Sequence, residues 1–138
     1  MLDGRADQAV ADLPEGLVYA GVSWGAATAQ RIAQTRSGAR GALLYEACLP
    51  VTGEWAVGPW PDRVPVQIHG MDQDPFFALE GDLDAARELV GIVGPELAEL
   101  FVYPGDRHLF TDRALPSYDA EATALVVRRS RDLLDRVG

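Results

Sequence analysis

The sequence predicts an α/β fold of about four mainly parallel strands flanked by helices, in one domain over residues 1–138. Two observations point there. Four short apolar runs, at 17–22, 41–49, 64–70 and 98–104, are separated by stretches with helical spacing, the pattern of a parallel sheet covered on both faces. Residues able to do chemistry also cluster just after three of those runs, where such sheets bind ligands beyond the carboxyl ends of their strands.

Each element has its own signal. Residues 5–13 place Ala6, Ala9, Val10 and Leu13 at helical intervals, and Pro14-Glu15-Gly16 ends them. LVYAGV (17–22) is a buried strand by its β-forming apolar content, and AATAQRIAQTR (26–36) is a helix stopped by Ser37-Gly38. GALLYEACL (41–49) is the second strand. A loop over 50–63 follows, punctuated by Pro50, Gly53, Gly58, Pro59 and Pro61 and carrying Trp55 and Trp60. VPVQIHG (64–70) is the third strand. DLDAARELVGIV (82–93) is an amphipathic helix with Asp82 as its expected N-cap. AELFVYP (98–104) is the fourth strand, and residues 116–137 form a last helix with Leu125, Val126, Leu133, Leu134 and Val137 largely on one face.

Composition narrows the function classes. A net charge of −9 lacks the basic footprint that nucleic acid or an anionic membrane surface requires, so neither is an expected partner. The single cysteine, Cys48, excludes an intrachain disulfide, and no Cys/His metal spacing exists. The first residues lack a signal-peptide core, and no run has the ~18 apolar residues of a membrane span. A cytoplasmic protein is the expectation.

After the first strand comes Gly21-Val22-Ser23-Trp24-Gly25; after the third, His69-Gly70-Met71-Asp72-Gln73-Asp74-Pro75-Phe76; after the fourth, Tyr103-Pro104-Gly105-Asp106-Arg107-His108. The chain order is serine, carboxylate, histidine. A serine hydroxyl becomes a useful nucleophile when an imidazole takes its proton, and a carboxylate fixes that imidazole's tautomer. Glycines flanking Ser23 suit a tight strand-to-helix turn, after which the Trp24 N–H points where an oxyanion forms. Ser23 is therefore the candidate nucleophile and His108 the candidate base. Asp74 and Asp72 both lie close enough to the strand end to be the acid, with Asp74 preferred. Asp82 reads as a cap, Asp106 as a turn former and His69 as structural. Trp55, Trp60, Phe76 and Phe77 fit either an apolar acyl pocket or a satellite core.

GVSWG, PVQIHGMDQDPFF with GDLDAARELV, and LFVYPGDRHLF resemble the carboxyl-terminal part of a dienelactone hydrolase-like α/β-hydrolase, from about residue 6 to the end. The resemblance implies a partial α/β-hydrolase fold and a small ester or lactone substrate. It implies Ser23 as nucleophile, Asp74 as acid through its Asp-Pro-Phe match, and His108 as base. No metal or organic cofactor is implied. Serine stands where founding members carry cysteine, which keeps the reaction class.

The resemblance also implies strands upstream of Ser23 that this sequence does not contain. The second oxyanion donor of the fold comes from such an upstream loop, which leaves the Trp24 N–H alone here. The nucleophile strand is then expected at a sheet edge, open to a second copy or a separately made amino-terminal half. Two alternatives to an autonomous enzyme follow: a truncated, impaired hydrolase module that pairs with another chain, or a longer protein whose start lies upstream of Met1.

Overall fold

The computed structural model describes residues 2–138. Helix α1 (Leu2–Ala11) precedes strand β1 (Val18–Val22), helix α2 (Trp24–Thr35) and strand β2 (Gly41–Tyr45). Strand β3 (Val66–Met71), helix α3 (Asp82–Val93), strand β4 (Ala98–Tyr103) and helix α4 (Ala120–Val137) complete the chain. All three strand pairings are parallel, in the order β1-β2-β3-β4. The register aligns Val22 with Tyr45 and Tyr45 with His69, so β1, β2 and β3 reach a common level at one edge of the sheet.

The core lies on both faces. On one, Ala26, Ala29 and Ile32 of α2 and Leu83, Ala86 and Leu89 of α3 pack against Leu44, Val66 and Ile68. On the other, Ala122 and Val126 of α4 pack with Met71, Tyr103 and Phe110. β3 is buried along its whole length, polar residues included. His69 and Gln67 survive there because their polar atoms are used. His69 Nε2–H donates to Gln67 Oε1 at 3.0 Å, and His69 Nδ1 takes the Tyr103 hydroxyl at 2.9 Å. Gln67 Nε2 donates onward to the Arg129 carbonyl at 2.9 Å. Burial pushes the His69 imidazole down to about 3, with the Arg129 charge acting in the same direction, so the ring is neutral. Among the described residues no helix is long and apolar enough to cross a membrane.

Several sequence expectations shift. Asp82 is the first residue of α3 and not its cap; Gly81, in the left-handed region at φ 105°, takes the cap position without a side-chain bond. The Asp82 carboxylate instead accepts the Cys48 N–H at 3.1 Å. The second strand ends at Tyr45 because Glu46 turns to φ 66°. Helix α4 starts at Ala120, after the Asp119 carboxylate caps the Ala122 N–H, and not at 116. Leu134, grouped on one face with Val126 and Leu133, is 43% exposed where those two are buried. The aromatic residues divide. Phe77 and Trp60 are core, with Trp60 Nε1 donating to the Val64 carbonyl at 2.8 Å, whereas Trp55 and Phe76 are exposed.

Among the described residues strand β1 pairs on one side only, and Ala20 and Val22 on it are exposed. A groove of about 690 Å³ runs beside it between α1 and α2, lined by Val10, Leu13, Leu17, Tyr19 and Ile32 among others.

Candidate active site

The turn from β1 to α2 is built around one residue in an unusual conformation. Ser23 sits at φ 56°, ψ −119°, a region that costs a non-glycine residue roughly 1–3 kcal/mol. The fold holds it there: its N–H donates to the Tyr45 carbonyl at 2.8 Å, and its own carbonyl accepts the Ala26 N–H at 2.9 Å. Of the two flanking glycines only Gly21 is required by packing. A Cβ there would lie 2.0 Å from the Gly25 carbonyl oxygen, whereas a Cβ on Gly25 would meet nothing within 4 Å. The expectation that both glycines serve the tight turn is thus corrected at Gly25.

Ser23 occupies the N-cap position of α2, yet its hydroxyl caps no helix N–H. It meets His108 Nε2 at 2.9 Å instead. His108 Nδ1 in turn lies 2.6 Å from Asp74 Oδ2. Asp74 is fully buried, and its other oxygen accepts the Phe76 N–H at 2.8 Å and the Phe77 N–H at 3.2 Å. Those bonds fix the carboxylate, and the carboxylate fixes the imidazole.

Asp72 is not part of this set. Its Oδ1 accepts the Gly105 N–H at 3.0 Å and ties the turn after β3 to the one after β4. Trp24 opens α2, so its N–H belongs to the first turn, whose donors have no partner inside the helix. Its ring is 81% exposed.

One site residue has no counterpart among the sequence candidates. Glu46 follows β2 as Ser23 follows β1, is 2% exposed, and reaches across 63 residues to the loop carrying His108. Its Oε1 accepts the Leu109 N–H at 2.6 Å and the Phe110 N–H at 3.3 Å. Leu109 itself is at φ 60°, so this acceptor holds a strained segment beside the imidazole. Burial pushes the Glu46 carboxyl up, and the Asp74 charge adds to the rise; His108 and the two N–H donors oppose it. The available signal was a lone acid closing a buried apolar strand at the same sheet edge as the serine and histidine.

Ser23, Trp24, Glu46, Phe76 and His108 border a cavity of about 280 Å³, with Glu80 and Asp82 on its wall. The Phe76 ring lies 4.9 Å from the His108 ring, tilted by 49°. Ligand atoms of Glu46, Asp74 and His108 fall within 4.8 Å of one another, close enough to hold a metal ion. Asp74 Oδ2 and His108 Nδ1 of this group are already bonded to each other.

No family model matches the chain, and no curated protein is similar to it in sequence. Solved structures match its shape. A dienelactone hydrolase-like promiscuous phosphotriesterase from metagenomic libraries aligns with a TM-score of 0.71 at 16% identity, over 98% of this chain and 59% of its own. An α/β-hydrolase enzyme from a Medee basin deep-sea metagenome library aligns at 0.64 and 18% identity, over 99% and 60%. A thermophilic esterase from the planctomycete Thermogutta terrifontis, solved with propionate bound, aligns at 0.66 and 19% identity, over 88% and 56%. The chain therefore spans less than two thirds of the length of these proteins. The likeness is one of fold: four parallel strands flanked by helices, matching part of the α/β-hydrolase fold.

Proposed function

We propose that this chain carries the catalytic triad of an ester or lactone hydrolase. The observation that carries the reading is the unbroken relay from the Ser23 hydroxyl through His108 to buried Asp74, at 2.9 and 2.6 Å. Ser23 Oγ attacks the acyl carbon while His108 Nε2 takes its proton. Asp74 holds Nδ1–H and balances the imidazolium that forms. The Trp24 N–H stabilises the oxyanion. His108 then protonates the leaving alcohol, and a water activated by the same imidazole releases the acid and restores Ser23. The strain at Ser23 fits this role, because it lifts the hydroxyl off the helix it would otherwise cap. Serine in place of cysteine leaves every step the same in kind.

A second reading has its own support in the free edge of β1. There the chain is a hydrolase module that is weak alone and completed by a segment pairing with β1, which supplies the second oxyanion donor. A missing donor of this kind costs roughly 100- to 1000-fold in rate.

The test is intact-mass labelling with a fluorophosphonate, beside Ser23→Ala and His108→Ala. Stoichiometric labelling that both variants abolish supports the triad. No labelling of protein that circular dichroism shows to be folded overturns the autonomous enzyme and leaves the module reading, to be pursued through the molecular mass in solution.

A further inference from the structure

The cavity beside Ser23 has a one-sided charge. Glu46, Glu80 and Asp82 stand on its wall, and no arginine among the described residues lines it. The chain has no lysine to offer, since all 12 of its basic residues are arginines. The three acids come from two elements that converge on the nucleophile: the end of β2 brings Glu46, and the start of α3 with the turn before it brings Glu80 and Asp82. Asp74 lies nearby, its charge directed at His108.

Two further features mark this as a place for a ligand. Glu46 Oε2 is buried and has no hydrogen-bond partner among the described residues, although Oε1 of the same carboxylate accepts two N–H groups. A buried oxygen without a donor is costly, and a positive charge held in the adjacent cavity offsets that cost through its field. The cavity mouth is also aromatic: Trp24 is 81% exposed and Phe76 56% exposed. Aromatic faces next to carboxylates bind ammonium groups through the ring quadrupole as well as through charge.

The titration of the wall agrees with this picture. Burial raises Asp82, with the charges of Glu80 and Asp74 adding to the rise, as Asp74 does for Glu46. Acids that hinder one another's ionisation are relieved by a positive charge placed among them. An anion placed there meets the opposite condition, and the net charge of −9 deepens the penalty.

We propose that the cavity beside Ser23 selects esters or thioesters bearing a positive charge, a protonated or quaternary amine, and discriminates against anionic ones. The proposal rests on the hydrolase reading above and adds the substrate class. Glu46, Glu80 and Asp82 supply the field, and Trp24 and Phe76 supply the faces on which the ammonium rests.

The experiment compares three thioesters of matched size: acetylthiocholine, its neutral carbon isostere 3,3-dimethylbutyl thioacetate, and S-acetyl-3-mercaptopropionate. A second set carries the same charges on the acyl side. The expected kcat/KM order on at least one side is cation, neutral, anion, with about tenfold between successive members at low salt. Raising the salt to about 0.5 M compresses the series. Glu80→Gln, at an exposed position, lowers the cation-to-neutral ratio several-fold, and Glu46→Gln does so while keeping an acceptor for Leu109 and Phe110. The same preference is read from the rate at which Ser23 is phosphonylated by a choline-bearing and a neutral phosphonate, so a chain that labels but turns over slowly still answers. Equal rates across the three charges, or preference for the anion on both sides, overturn the charge selection and leave the hydrolase standing. No turnover and no labelling with any reagent overturn both.

Discussion

The two histidines occupy two regions a few residues from the same sheet edge, and they differ in every respect that matters for chemistry. His69 lies inside the sheet, fully buried, with both ring nitrogens bonded to neutral partners and its ring packed between Tyr45 and Phe101. His108 stands above the sheet with 17% of its side chain exposed, between a buried carboxylate and a strained serine. Both are well ordered by hydrogen bonds. The difference is what those bonds leave over: around His69 nothing is spare, whereas around His108 there are a hydroxyl taken off capping duty, three non-glycine residues at positive φ (Ser23, Glu46 and Leu109), and a buried Glu46 oxygen without a hydrogen-bond partner beside a cavity. Satisfied burial builds structure, and strain held open toward a cavity builds function.

The contrast breaks most sharply at His108. His108→Ala is expected to lower ester turnover by at least ~1000-fold, as loss of a general base does in a triad, with the thermal midpoint shifted by only a few degrees. A loss below tenfold would remove His108 from the chemistry. His69→Leu is expected to do the reverse. It leaves the Gln67 carbonyl oxygen buried without a partner and takes one partner from the Tyr103 hydroxyl, which keeps Arg129, so urea unfolding should show roughly 1–3 kcal/mol lost while kcat of the folded fraction stays within a few-fold. If His69→Leu were as stable as the parent, the network would be incidental.

Much of this was legible in the sequence, for reasons specific to each residue. The strands could be read because a parallel sheet buried on both faces demands continuous apolar runs, and LVYAGV and GALLY are such runs. Ser23, Asp74 and His108 could be read because the register brings strand ends level, so position after a strand stands in for position in space. Glu46 was missed although it obeys the same rule. An acid closing a strand is locally indistinguishable from a solvated end, and its role comes from a contact 63 residues away. Asp82 was misread because a left-handed glycine pre-empted the cap, a choice that helical spacing does not encode. Gly25 looked equivalent to Gly21, and only the path of the backbone separates them.

Acid sharpens the comparison next. The folded state holds His69 near 3, while in the unfolded chain it titrates near its ordinary value of 6.5. Between those values the unfolded chain takes a proton that the native one refuses, so stability falls as pH falls, by about 1.4 kcal/mol per unit at most. The stabilising contribution is whole above pH 6.5 and is lost progressively toward pH 3. Chemical denaturation at pH 7, 6 and 5 should show this slope, and His69→Leu should flatten it. An identical slope in the variant would assign the acid sensitivity to other groups.

The smallest expected effect is at Asp72, and set against Asp74 it probes the same distinction at closer range. Asp72 and Asp74 are two residues apart on one turn, yet Asp72 spends its carboxylate on the exposed Gly105 N–H and Asp74 spends one oxygen on the imidazole. Asp72→Asn keeps an acceptor for that N–H and removes only a solvent-screened charge. Stability should change by less than about 1 kcal/mol and turnover by less than a few-fold. Asp74→Asn keeps the bonds to Phe76 and Phe77 but offers the imidazole an amide in place of a carboxylate. The ring can then settle in the wrong tautomer, and turnover should fall on the order of 10⁴-fold. Comparable losses in the two variants would mean that the turn as a whole, and not the carboxylate on His108, sets the activity.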